Sequence, residues 1–311
     1  MSDASPYSGD VIDAHHHVWD LERNHYPWLT PEVTVPHRYG DYTGIKHSYL
    51  ADNYLADIAG HRVVSSVYME AEWDPADPIG ESRYIAEIAA DTGYPGATVA
   101  QAWLDAPDVA TTLAAQAAFP LVRSVRHKPG GATTRDEAIA GRKSLMSDPT
   151  WQAGYALLAR HGLHFELQSP WWNLGEAAEL ATAFPDTTLV INHSGVLLDR
   201  SPETVDGWRA ALERISALPN VVIKASGLCV EGVPFSTALN REVVLDMIRI
   251  FGADRVMFGS NFPVDGMFAT YGELLGSFLD ITAALSDADK SAVFFGTANR
   301  LYRPVMGAGG S

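Results

Sequence analysis

The sequence predicts a single-domain α/β protein, a (β/α)8 TIM barrel. Three observations predict it: eight short β-branched runs along 311 residues, helical patterns between them, and polar residues gathered at the carboxyl ends of the runs. The runs are "VIDAH", "VVSSVYME", "GATVAQAW", "LVRSVRH", "LHFELQ", "TTLVINH", "NVVIKASG" and "RVMFGSN". An open doubly wound sheet normally has fewer strands and often a glycine-rich phosphate turn after the first one. No such turn follows "VIDAH".

In chain order, residues 1–10 are expected to form a flexible N-terminus, 11–303 the barrel, and 304–311, with "VMGAGGS", a flexible tail. Residues 20–47, rich in Pro, His and Tyr, read as a long loop after the first strand, on the face where barrels keep their active sites. Helices are expected over "ESRYIAEIAADTG", "DVATTLAAQAAF", "WQAGYALLARHG", "NLGEAAELATAF", the stretch around Trp208, and "NREVVLDMIRIFG". Several start after Asp, Ser or Asn and stop at Gly or Pro, as capped helices do.

Composition narrows the function classes. Hydrophobic residues make up 47% of the chain and charged residues 19%, the balance of a soluble globular protein. A formal net charge of -16 repels phosphate backbones and anionic membranes, so neither nucleic acid nor a membrane is an expected partner. Cys229 is the lone cysteine, which excludes an intramolecular disulfide and cysteine-based metal clusters. With no basic stretch leading into an apolar core at the N-terminus, the expected location is the cytoplasm. The expected partner is a small-molecule substrate, with a homo-oligomer left open.

Strand parity sorts the polar residues. Asp13, His15 and His17 share one parity, expected to face the interior, whereas His16 falls with Ile12 and Ala14. In the fifth run, Phe165 and Leu167 take one face, leaving His164, Glu166 and Gln168 on the other. A buried Glu166 needs a cation, and Lys224 of the seventh run is expected inward to supply it. His193 ends the sixth run, Arg123, Arg126 and His127 lie in the fourth, and Asn261 and Asp265 close the eighth.

Such convergence at strand ends marks an active site, because each buried ionisable group must be paired, neutralised or coordinated. Neutral imidazoles at i and i+2 of a strand can aim at one point, where they hold a metal or polarise a carbonyl. Glu70 and Glu72 stand at another strand end. Arg123, Arg126, His127 and Gln168 are candidates to hold the substrate's polar groups, and Trp73 to wall the pocket, as are Trp19, Trp28, Trp171 and Trp172.

In this order, "VIDAHHHVWD", "LVRSVRH", "LHFELQ", "LVINHSG", "VVIKASGL", "RVMFGSNFPVD" and "FFGTANRLYRP" resemble the amidohydrolase superfamily. More narrowly, they resemble its TIM-barrel lactonases, the branch of L-fuconolactonase and 2-pyrone-4,6-dicarboxylate lactonase. The resemblance implies hydrolysis of a small lactone, with His15, His17 and His193 polarising the carbonyl directly or holding Zn²⁺. The family's water-activating aspartate, in its G-S-D-x-P motif, is Asn261 here, in "GSNFPVD". An amide cannot act as general base, so Asp265, Glu70 or Glu72 becomes the expected acceptor unless a metal-bound hydroxide forms. Two other readings remain: a metal-dependent decarboxylase of an aromatic or unsaturated acid, and a non-catalytic binding barrel.

Overall fold

The computed structural model describes residues 5–307. Its strands are β1 (Val11–His16), β2 (Val63–Met69), β3 (Ala97–Gln101), β4 (Val122–Arg126), β5 (His164–Leu167), β6 (Leu189–Ile191), β7 (Val221–Ala225) and β8 (Val256–Phe258). They form one parallel sheet in sequence order. The sheet closes at its carboxyl edge, where the Asn261 amide donates to the His15 carbonyl and the His17 amide to the Phe262 carbonyl, each at 2.7 Å. This is the TIM barrel that the alternating pattern predicts.

All six predicted helical stretches contain a helix. The helices are Gly80–Thr92, Val109–Ala117, Pro149–Tyr155, Leu174–Ala183, Pro202–Ser216 and Thr237–Phe251. The Ser201 and Ser236 hydroxyls accept from backbone N–H groups at Thr204 and Leu239, satisfying amides that the first turn leaves free. "WQAGYALLARHG" is helical only to Tyr155 and then tightens into a 3-10 turn, Ala159–His161.

The parity expected in β1 is only half right. Between Asp13 and His16 the register against β2 shifts, three steps on β1 facing two between Ser66 and Tyr68, so a β-bulge lies under the histidines. Asp13 therefore turns outward, where its carboxylate accepts from Ser260 Oγ at 2.6 Å, Tyr54 at 3.1 Å and Tyr271 at 3.3 Å. His16 also faces the helices, stacked on Tyr54 with ring centroids 3.8 Å apart. Ile12 and Ala14 pack inward against Val190, Val222 and Met257. The bulge restores His15 and His17 to the interior.

The floor of the barrel is filled from below by Leu301 and Tyr302 of the last helix, Thr297–Tyr302. Above them Lys224 Nζ lies 2.9 Å from Glu166 Oε2, both side chains fully buried. Glu166 also accepts from Tyr302 and, at 2.5 Å, from Asn192 Nδ2. The carboxylate and ammonium expected from β5 and β7 thus neutralise each other at the barrel's heart.

The ends are bonded to the barrel where they are described. Ser5 accepts from Lys290 at 2.9 Å and Tyr7 stacks on Phe294. Val305 donates to Gly96 at 2.9 Å and Gly307 to Val64 at 2.8 Å. The rest of the expected flexible ends, 1–4 and 308–311, lies outside the described residues. Among the described residues no helix is long and apolar enough to cross a membrane.

Candidate active site

A cavity of about 320 Å³ opens at the carboxyl ends of the strands. The β1–β2 loop covers it, as the sequence predicts, and is fastened by Trp28 Nε1 donating to the Ala71 carbonyl at 2.8 Å and Tyr39 donating to Asp265 at 2.8 Å. His17, His193, Asn261, Arg126 and Gln168 line the cavity, with Arg38 reaching in from the loop.

The three predicted histidines meet at its base. Ring centroids of His15 and His193 are 4.4 Å apart, and those of His15 and His17 are 5.2 Å apart. His193 begins a left-handed turn after β6, at φ 53°, continued by Ser194 and Gly195. Non-glycine residues adopt this region at a cost, and such strain gathers where a side chain must be aimed.

Hydrogen bonding sets the tautomers. His17 Nδ1 lies 2.8 Å from the Met69 carbonyl, an acceptor only, so the proton sits on Nδ1 and Nε2 is a free lone pair. His193 Nδ1 lies 3.2 Å from the Ser226 hydroxyl, and both His15 ring nitrogens are buried without a hydrogen-bond partner among the described residues. Burial holds all three imidazoles well below the usual histidine range. Neighbouring groups add to this: His193 and Lys224 for His15, Arg126 for His17, Arg38 and Arg126 for His193. All three are neutral at pH 7.

Of the predicted acceptors, Glu70 is committed to Arg126, which it holds through one carboxylate oxygen and, at 2.5 Å, its backbone carbonyl. Gln168 Oε1 accepts from the same guanidinium at 2.9 Å, so each of the three Arg126 nitrogens has a protein partner. Glu72 lines the cavity, paired with Lys128 at 2.7 Å. Asp265 is buried behind Asn261, whose Nδ2 donates to Asp265 Oδ1 at 2.6 Å. The carboxylate fixes the amide's orientation.

Arg123, His127 and Trp73 stand outside the cavity, as do Trp19, Trp171 and Trp172, leaving Trp28 as the tryptophan of those five that lines it. Arg123 is at the foot of the barrel, donating to the Tyr302 carbonyl at 2.9 Å. His127 Nδ1 accepts from Leu104 N–H at 3.1 Å and Trp151 Nε1 at 2.9 Å, which ties it into the helix layer. Trp73 packs edge-on against Tyr26, centroids 5.3 Å apart. Burial pushes the Cys229 thiol up, which disfavours the thiolate. Arg38 and Lys128 line the cavity although sequence reasoning passed over them; a basic residue in the predicted mouth loop was the available signal.

The expected zinc set of His15, His17 and His193 does not fit the ion in this arrangement. Among the described residues no group of three or more His, Cys, Asp or Glu side chains is placed to hold a metal. Asn261 contributes no negative charge, and the Arg38 guanidinium near His193 opposes a dication.

An uncharacterized protein of Sinorhizobium fredii is 36% identical over 293 residues, covering 94% of this chain and 98% of its own. An L-fucono-1,5-lactonase of Burkholderia multivorans is 30% identical over 305 residues, covering 94% of this chain and 95% of its own. A crystal structure of a zinc-bound amidohydrolase from Burkholderia multivorans superposes with a TM-score of 0.78 at 26% identity, covering 95% of this chain and 100% of that one. The family model described as amidohydrolase matches residues 12–303, and the chain belongs to the amidohydrolase family.

Proposed function

We propose that the protein is a lactonase that opens a small cyclic ester, a sugar lactone or a muconate- or pyrone-type lactone, without requiring a metal. The observation that carries this reading is the free Nε2 of His17 beside two further neutral imidazoles at the base of a covered cavity. A neutral imidazole whose other nitrogen is tied to a carbonyl is a competent general base.

Water held at His17 Nε2 adds to the lactone carbonyl carbon, and its proton passes to that nitrogen. The carbonyl π pair moves onto oxygen, where His193 donates from Nε2 once the Ser226 hydroxyl donates to its Nδ1. Collapse of the tetrahedral adduct breaks the ring C–O bond. The departing alkoxide takes the proton from His17, which returns the ring to neutrality and leaves a hydroxy acid. Asn261, fixed by Asp265, holds the lactone ring or the water by its amide oxygen.

The fold and the lactonase relative support this reading. The test is acid release from a panel of sugar and muconate-type lactones, followed with a pH indicator for the parent protein and His193→Ala. Turnover abolished by the substitution supports the reading. Undiminished turnover in the variant removes His193 from the chemistry, and carbon dioxide release from unsaturated acids in place of lactone opening assigns the site to decarboxylation.

A further inference from the structure

The cations around the cavity are not equivalent. Arg126 is paired with Glu70 and Gln168, Lys128 with Glu72, and Lys224 with Glu166. Arg38 has the longest ion pair of the four, 3.8 Å to Asp265. Its side chain is 10% exposed, its Nη1 is buried with no hydrogen-bond partner among the described residues, and it lines the cavity. The nearest carboxylate oxygen, Asp265 Oδ1, is 3.8 Å from Nη2 and already accepts from Tyr39 and Asn261. That separation is too long for a hydrogen bond.

The guanidinium is nevertheless held in place. It lies over the Tyr39 ring, 4.5 Å from the centroid, and Tyr39 is itself anchored to Asp265. Gly227 makes room beneath it: a Cβ there would stand 2.7 Å from both Arg38 Nη atoms and 2.7 Å from His193 Nδ1, at a backbone φ of +61°. Arg38 and His193 therefore meet over one glycine.

We infer that Arg38 is a second oxyanion-binding residue of this site beside His193, resting on the lactonase reading above: it shares the negative charge on the former carbonyl oxygen and then receives the carboxylate that ring opening creates. A planar fork with an unpaired donor suits two oxygens on one carbon. It also supplies, from the protein itself, positive charge at a site whose ligand set suits a metal ion poorly.

The experiment has a binding arm that needs no turnover. Tryptophan fluorescence, with Trp28 in the cavity wall, is titrated with D-gluconate and with the neutral alditol D-glucitol at constant ionic strength. Saturable binding of the aldonate alone, weakened about ten- to a hundredfold in Arg38→Gln and less in Arg38→Lys, is expected for lost charge-assisted hydrogen bonds. Equal binding of the alditol, no saturable aldonate binding, or unchanged affinity in Arg38→Gln overturns the inference. A kinetic arm uses neutral sugar lactones: Arg38→Gln lowers kcat by about tenfold or more if the oxyanion is the ligand. If only lactones carrying a second carboxylate respond, through KM, Arg38 anchors a remote group and the inference fails. Arg38-dependent aldonate binding without turnover of any lactone keeps the anion site and rejects the lactonase reading.

Discussion

The floor and the mouth of this barrel bury polar groups in opposite ways. At the floor, Glu166 is met by Lys224, Asn192 and Tyr302, and the space is filled by the last helix. At the mouth, among the described residues, His15 has no partner for either ring nitrogen, His17 keeps a bare lone pair, and Arg38 keeps a spare donor beside a cavity. Satisfied buried charge holds a fold together, whereas buried groups left incomplete need something the protein alone does not provide. The contrast points to the mouth as the place of chemistry.

The comparison breaks most visibly if the mouth is dispensable. His17→Ala is expected to lower kcat/KM on the true lactone by about 10²–10⁴-fold, the usual contribution of a positioned base, while the melting temperature changes little. Steady-state kinetics and a thermal melt on the same preparation decide it, and full activity in the variant contradicts the assignment.

The floor should behave in reverse. Lys224→Met leaves Glu166 charged in a dry interior and is expected to cost about 3–5 kcal/mol in denaturant unfolding, with the folded fraction still active. A variant as stable as the parent would show that the pair is not the strut described here.

A pH dependence sharpens the boundary between the two regions. Glu81, on helix Gly80–Thr92, accepts from Tyr68 and from the Ala71 amide beneath the Glu70–Arg126 pair. Burial, then the charge of Glu70, pushes its carboxyl up to about 8. The folded protein thus holds this proton more tightly than the unfolded chain, whose carboxyl titrates near the ordinary value of 4.5. The associated stability is complete below that lower value and is lost as pH rises through about 8. Glu81→Gln cannot ionise, so it should unfold later than the parent at pH ~9, by an amount on the order of a few kcal/mol, with no advantage near pH ~4. Equal stability of the two proteins across that range would refute the assignment.

The smallest effect is expected at Arg123, a partly exposed residue at the outer edge of the floor. Arg123→Gln should change stability by no more than about 0.5–1 kcal/mol and leave kcat/KM unaltered. A specific loss of substrate affinity would return Arg123 to the site.

Much of this was legible in the sequence because it is periodic. Eight β runs and six helical stretches fall where the patterns put them, and alternation alone sends Glu166 and Gln168 inward from β5, whereas of Arg123, Arg126 and His127 in the fourth run only Arg126 reaches the cavity. Parity failed in β1 because a bulge is a property of the β1–β2 pairing, and nothing in "VIDAHHH" marks where the extra residue goes. The reading that put Asp13 beside His15 and His17 was lost to that bulge. Arg38 was illegible for a different reason: the loop has no period, and the place of one side chain depends on Tyr39, Gly227 and Asp265, far apart in the chain.

The most direct test of the account is lactone opening by the parent protein before and after exhaustive chelation, with His17→Ala in parallel. The account predicts acid release that survives chelation and collapses in the variant. Activity lost on chelation and restored by zinc would contradict it, because the histidines would then act as ligands and not as a free base beside a guanidinium with a spare donor.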